Sequence, residues 1–162
     1  MDKFTDPLIE SISLCFGAQI GKTEAELNMI GYALHQTASP VMMVYPTDTI
    51  AKFASDKRVQ PMIRSVEPLA DMYDEGSKLL ELDFVNGNYM VLVGANSPSS
   101  LSSRSIKYLF FDEIDKYPAF SGKEANPIKL AEERTKTFVD KKIVRVSTPT
   151  IESGNKIGRA HV

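Results

Sequence analysis

The sequence predicts an α/β fold: a mostly parallel central sheet flanked by helices, with one β-hairpin. Three observations predict it. Short apolar runs bounded by Gly, Pro or charged residues alternate with stretches of helical period along the chain. Three of those runs end in polar, chemically capable residues, and open α/β sheets bind ligands beyond the carboxyl ends of their strands. One pair of runs flanks Asn86-Gly87, a dipeptide that closes a tight antiparallel turn.

The elements follow in order. Ser11 to Phe16, SISLCF, is a short apolar run that reads as a buried strand leading into a glycine loop. From Lys22 to Gln36, residues Ala25, Met29, Ile30, Ala33 and Leu34 recur at near-helical spacing, so a helix follows. Val41 to Tyr45, VMMVY, is a second strand, stopped by Pro46. Thr47 can cap the next helix and Asp48 suits its positive end; Ile50, Phe53 and Ala54 ride on it, and Pro61 is expected to kink or end it. Leu79 to Gly94 carries the hairpin, and serine-rich Asn96 to Ser105 reads as a loop. Lys107 to Asp112, KYLFFD, is an apolar run ending in carboxylates. A helix is expected between Glu124 and Phe138 after a break near Pro127, and Lys141 to Ser147 gives a last strand.

A chain of 162 residues, 43% hydrophobic and 25% charged, suits one soluble domain with a sizeable core. The formal net charge of -2 gives no global basic field to advertise nucleic acid. Cys15 is the single cysteine, which rules out an intrachain disulfide and fits a reducing, cytosolic setting. The N-terminal MDKFTDPLIE lacks the apolar run of a signal peptide, and no stretch approaches the roughly 20 apolar residues of a membrane helix. His35, His161 and Cys15 do not make a zinc site.

Four stretches carry chemistry. FGAQIGKTE, Phe16 to Glu24, places Gly21, Lys22 and Thr23 at the end of the phosphate-loop pattern, but Phe16 stands where its first glycine belongs and Gly17 comes one residue late. Backbone N–H groups at a helix start attract anions, Lys22 supplies charge for phosphates, and the Thr23 hydroxyl can bind Mg²⁺. Gly-Lys-Thr alone also opens ordinary helices; the strand before it and the helix after it favour a nucleotide loop. In YLFFDEID, Asp112 is placed to hold Mg²⁺ and Glu113 to polarise an attacking water, while Asp115 reads as a cap or supporting residue. On its own the same run is a strand ending in a solvated acidic turn. VSTPT, Val146 to Thr150, puts hydroxyls at the last strand's end, equally a Ser/Thr-Pro turn on local pattern. Arg104 precedes the acidic strand; by itself it reads as a solvated loop residue or a DNA-phosphate contact, with Lys107 nearby.

Taken in this order, FGAQIGKTE, VGANSPSSLSSRSIKYLFFDEIDKYP and VSTPT resemble the ATPase of the large terminase subunit of lambda-type tailed bacteriophages. That family packages viral DNA into a procapsid and typically carries a deviant glycine loop with Ala-Gln-x-Gly-Lys-Thr/Ser. The resemblance spans roughly Ser11 to Gly158 and implies a P-loop NTPase of the ASCE type. It implies ATP and Mg²⁺ as cofactors. Gly17, Gln19, Gly21, Lys22 and Thr23 would bind nucleotide, and Thr23 and Asp112 the metal. Glu113 would be the catalytic carboxylate, Ser147, Thr148 and Pro149 the coupling motif, and Arg104 an arginine finger acting in trans.

The implied partners are double-stranded DNA and, in the full-length protein, the small terminase subunit and the portal or procapsid, in a ring oligomer in the host bacterial cytoplasm without a membrane. Large terminases are several times longer, so residues 1–162 are expected to be a single P-loop ATPase domain, a fragment without the nuclease domain, whether trimmed or a prophage remnant. Two other readings stand beside this one: another nucleic-acid motor such as a DExx helicase, for which a second motor domain has no room here, and a non-catalytic remnant or assembly module.

Overall fold

The computed structural model describes residues 1–15, 17, 21–120 and 126–148. Its centre is a six-stranded sheet of order β1-β6-β5-β2-β4-β3. In chain order, α1 (Asp2–Thr5) leads to β1 (Ser11–Cys15), α2 (Lys22–His35), β2 (Val41–Tyr45) and α3 (Asp48–Ala54). A π turn (Ser55–Val59), α4 (Gln60–Ser65) and α5 (Glu67–Ala70) precede the hairpin of β3 (Glu81–Asp83) and β4 (Tyr89–Gly94). Then come α6 (Pro98–Leu101), β5 (Tyr108–Asp112), a 3-10 turn (Ile114–Lys116), α7 (Pro127–Glu133) and β6 (Lys142–Ser147).

Every strand pairing is parallel except β3 with β4. The expected parallel sheet with one antiparallel element is therefore present, and Gly87 takes the left-handed φ of 80° that the turn after Asn86 demands. Strands β2, β5 and β6 are buried along their whole length, which is why their sequences read as continuous apolar runs rather than alternating ones. Successive side chains divide between two cores. Met43, Met90, Leu92, Phe110 and Val144 pack under α1 to α5, and Met42, Val44, Val93, Leu109 and Phe111 pack under α6, α7 and the 3-10 turn. Each large side chain buried this way contributes about 1.5–3 kcal/mol.

Helix α2 occupies its expected span, and Thr47 caps α3 by accepting from the Ile50 N–H at 3.3 Å. Such a cap is worth about 1 kcal/mol. Two expectations need correction, and a third, that Pro61 kinks or ends the helix, is narrowed. Pro61 does not end the helix that starts at Asp48. The chain passes into a π turn, where the Gln60 N–H reaches Ser55 O, and Pro61 then sits in the first turn of α4, where its missing N–H costs little. The serine-rich loop contains the short helix α6, started by Pro98. Finally, α7 is only Pro127–Glu133: Pro127 is its first residue, capped by the Asn126 side chain accepting from the Ile128 N–H.

Candidate functional site

Strand order brings the chemistry together. In the parallel register Cys15 stands beside Ser147, and Asp112 beside Val146, so β1, β6 and β5 end at one edge of the sheet. Gly21, whose φ of 83° is open to glycine at little cost, caps the start of α2. Lys22 is then the first residue of α2 and Thr23 the second. Strand β6 lies between the glycine-loop strand and the acidic strand.

Across that edge Lys22 meets both acids. Its Nζ lies 3.1 Å from Asp112 Oδ1 and donates to Glu113 Oε1 at 3.4 Å. The Asp112 contact is an ion pair whose geometry leaves Oδ1 without an aligned hydrogen bond. Lys116 donates to the other Glu113 oxygen at 2.8 Å. Glu113 occupies the left-handed region at φ 53°, a conformation a non-glycine residue holds only when its surroundings fix it.

The charges are tuned accordingly. Burial pushes the Asp112 carboxyl up, and Lys22 offsets only part of this. For Glu113, burial also acts upward, but the hydrogen bond from Lys116 and the charges of Lys22 and Lys116 outweigh it and hold this carboxyl below the usual range. Burial works against the Lys22 charge, yet its two acidic neighbours raise the ammonium above its ordinary value.

An open cleft of about 890 Å³ lies between the start of α2 and the α3–π–α4 segment. Gly21, Lys22, Thr23, Asp112 and Glu113 line one wall, and Ile50, Phe53, Lys57, Arg58 and Met62 the other. Its size is that of a small-molecule site. Arg58 crosses it, donating from Nη1 to Thr23 Oγ1 at 3.3 Å. Behind the cleft Glu26 is fully buried, and neither of its carboxylate oxygens has a hydrogen-bond partner among the described residues. Burial, with Asp112 adding repulsion, raises that carboxyl well above its ordinary value.

The other expected site residues fall as follows. Ser147 is buried and donates from Oγ to Asp115 Oδ2 at 2.9 Å, so Asp115 supports the end of β6. Thr148 is half-buried and Gly17 exposed. Gln19 and Pro149 lie outside the described residues. Arg104 does not line the cleft. Its guanidinium is 3.5 Å from Glu81 and stacks over the Tyr89 ring at 5.1 Å, on the hairpin side of the sheet. Sequence reasoning missed Arg58 and Glu26. Nothing local marks Arg58, but Glu26 sits beside Leu27 and one turn before Ile30, a charge within the buried stripe of α2.

Among the described residues no group of three or more His, Cys, Asp or Glu could hold a metal, and no helix is long and apolar enough to cross a membrane. Asp112 and Thr23 offer one carboxylate and one hydroxyl, and a sparse protein donor set of that kind suits Mg²⁺ bound together with substrate phosphates.

Known proteins match this chain in sequence and fold. The family model described as phage terminase large subunit gpA, ATPase domain, matches residues 1–161. The terminase large subunit of Enterobacteria phage P21 is 24% identical over 166 residues, covering 99% of this chain and 26% of that protein. The chain thus spans about a quarter of that relative's length. Two solved structures share the fold. The large terminase of bacteriophage HK97 aligns with a TM-score of 0.74 at 12% identity, over 92% of this chain and 31% of its own. The large terminase of the thermophilic bacteriophage D6E in complex with ADP aligns with a TM-score of 0.62 at 17% identity, over 86% of this chain and 34% of its own.

Proposed function

The chain belongs to the family of phage terminase large subunit ATPase domains, with the P-loop ASCE fold, and on that premise we propose that it binds Mg²⁺-ATP in the cleft and hydrolyses it to drive DNA into a procapsid. The observation that carries this reading is the convergence of Lys22 on Asp112 and Glu113, at 3.1 and 3.4 Å, from elements about 90 residues apart. An exposed acidic turn would not need a lysine from the opposite half of the chain.

The residues fit the nucleotide and its metal. Gly21, Lys22 and Thr23, with Gly17 and Gln19 in the loop before them, hold the phosphates. Thr23 Oγ1 and the incompletely hydrogen-bonded Oδ1 of Asp112 would hold the divalent cation. Bound there, the cation would neutralise charge developing on the phosphate oxygens. Glu113, kept ionised by Lys22 and Lys116, accepts a hydrogen bond from the attacking water and orients it. Ser147, which ends β6 between the two halves of the site, begins the Ser147, Thr148 and Pro149 motif that relays hydrolysis to the rest of the motor. In the full-length protein the partners are double-stranded DNA, the small subunit and the portal or procapsid, in a ring in the host cytoplasm, with Arg104 acting on a neighbour's site.

The test is a titration with Mg²⁺-ATP combined with a turnover assay. Lys22→Ala should abolish binding with the fold intact. Glu113→Gln should keep binding and lose hydrolysis by ~10²–10⁴-fold. Equal affinity in wild type and Lys22→Ala would remove the basis of the proposal. Unchanged turnover in Glu113→Gln would move the carboxylate's role elsewhere. Wild type that binds without turnover in both this chain and the full-length protein would favour a non-catalytic module.

A further inference from the structure

We propose that Arg58 is a second cation for the polyphosphate, reaching the γ-phosphate from the wall opposite Lys22. The inference rests on the nucleotide reading of the cleft and adds a residue that the phosphate-loop pattern does not contain.

The charge arrangement comes first. Lys22 is already engaged by Asp112 and Glu113. Lys116 is taken by Glu113, and Lys57 by Asp56 at 2.8 Å. Among the described residues, Arg58 has no carboxylate within ion-pair distance; its contact is with the neutral Thr23 hydroxyl. A guanidinium has five N–H donors in a fixed fork, so one hydrogen bond leaves most of them to serve a ligand. Planar bidentate donors match phosphate oxygens well.

Position comes second. Thr23 Oγ1 is the hydroxyl that a phosphate loop gives to Mg²⁺, so a triphosphate bound with that ion would lie beside it. A side chain already within 3.3 Å of this oxygen is within reach of the same phosphates. When the hydroxyl oxygen serves a cation it is a poor acceptor for a second positive group, which turns Arg58 toward the phosphates instead.

The backbone comes third. Arg58 stands on the π turn Ser55–Val59, and single π turns within helices are frequent at functional sites. The turn is bounded by Pro61 in the next helical segment, and Ser55 beneath it is fully buried, its hydroxyl donating to Leu79 O. The segment that presents Arg58 is therefore anchored to the body of the domain and does not depend on Arg58 for its packing.

The experiment measures the affinity of the 162-residue chain for a non-hydrolysable ATP analogue and for ADP, each with Mg²⁺. Wild type, Arg58→Ala, Arg58→Lys and Lys22→Ala are compared. Loss of a charged hydrogen-bonding group at the γ-position should weaken the triphosphate about 10–100-fold in Arg58→Ala. ADP should weaken by less than about threefold, and Arg58→Lys should recover part of the difference by restoring the charge without the fork. A merely structural arginine would weaken both nucleotides alike. An unchanged ratio of the two affinities in Arg58→Ala, with binding lost in Lys22→Ala, overturns the role of Arg58 and leaves the nucleotide site standing. Absence of nucleotide binding by the wild type overturns both. Should Arg58→Ala fail to fold by circular dichroism, the same ratio in Arg58→Gln decides.

Discussion

Replacing Glu26 should stabilise the domain, in a way that depends on pH. The side chain is fully buried in α2 and neither carboxylate oxygen has a hydrogen-bond partner among the described residues. A buried polar group without partners costs about 1–3 kcal/mol. Glu26→Leu removes that cost and adds apolar volume beside Leu27 and Ile30. In a domain of this length, 1 kcal/mol moves the midpoint by about 2–4 °C, so the variant should melt roughly 2–12 °C higher at neutral pH. The pH dependence follows from the direction of the shift. The folded carboxyl titrates well above its ordinary value of 4.5. Above that value the unfolded chain releases a proton that the folded chain keeps, so stability is greatest below about pH 4.5 and is lost as pH rises, by up to about 1.36 kcal/mol per unit. The advantage of Glu26→Leu should thus be smallest near pH 4 and grow toward pH 8. Glu26→Gln should lose the pH dependence while keeping most of the burial cost. Thermal unfolding of all three proteins between pH 4 and pH 8, with EDTA present, measures each difference. Wild type as stable as Glu26→Leu at every pH would refute the reasoning, as would a gap that does not change with pH.

Two further outcomes can be checked. Gly94→Ala should destabilise by about 1–3 kcal/mol, because an added Cβ would run into the backbone nitrogen and Oδ1 of Asp48 (the latter at 2.6 Å) and the Asn96 side chain; denaturant unfolding reads it, and a loss under about 0.5 kcal/mol would mean that the Asp48 junction yields. In an assembled full-length motor, Arg104→Ala should bind ATP normally and hydrolyse it slowly, a group supplied in trans being worth ~10³–10⁵ in rate. Mixing that variant with Glu113→Gln should restore part of the activity, and no recovery in rings shown to be mixed would place Arg104 in cis.

The sheet was legible in the sequence because it is buried. VMMVY, YLFFD and KIVRVS have no solvent-facing side, so they stand out as apolar runs, and Asn86-Gly87 and Thr47 announce turn and cap by local chemistry. Lys22, Asp112 and Glu113 were legible because each ends or begins an element with a recognisable pattern. Arg58 was not, since its partner Thr23 lies 35 residues away and a charge on a helix reads as a solvated face. Pro61 misled for a related reason. Its ring forbids one α-helical hydrogen bond, but the chain passes that point through the π turn, whose first and last residues, Ser55 and Val59, are buried.

Glu113 also bears on how this domain can be engineered. At φ 53° a glycine would sit without the penalty of about 1–2 kcal/mol that an L side chain incurs in the left-handed region. A campaign that selects variants for heat resistance alone would therefore be drawn to Glu113→Gly, and each success there would remove the carboxylate facing Lys22. On the role proposed for Glu113, thermostability and turnover compete at this one backbone position, so a screen of this domain has to score both at once.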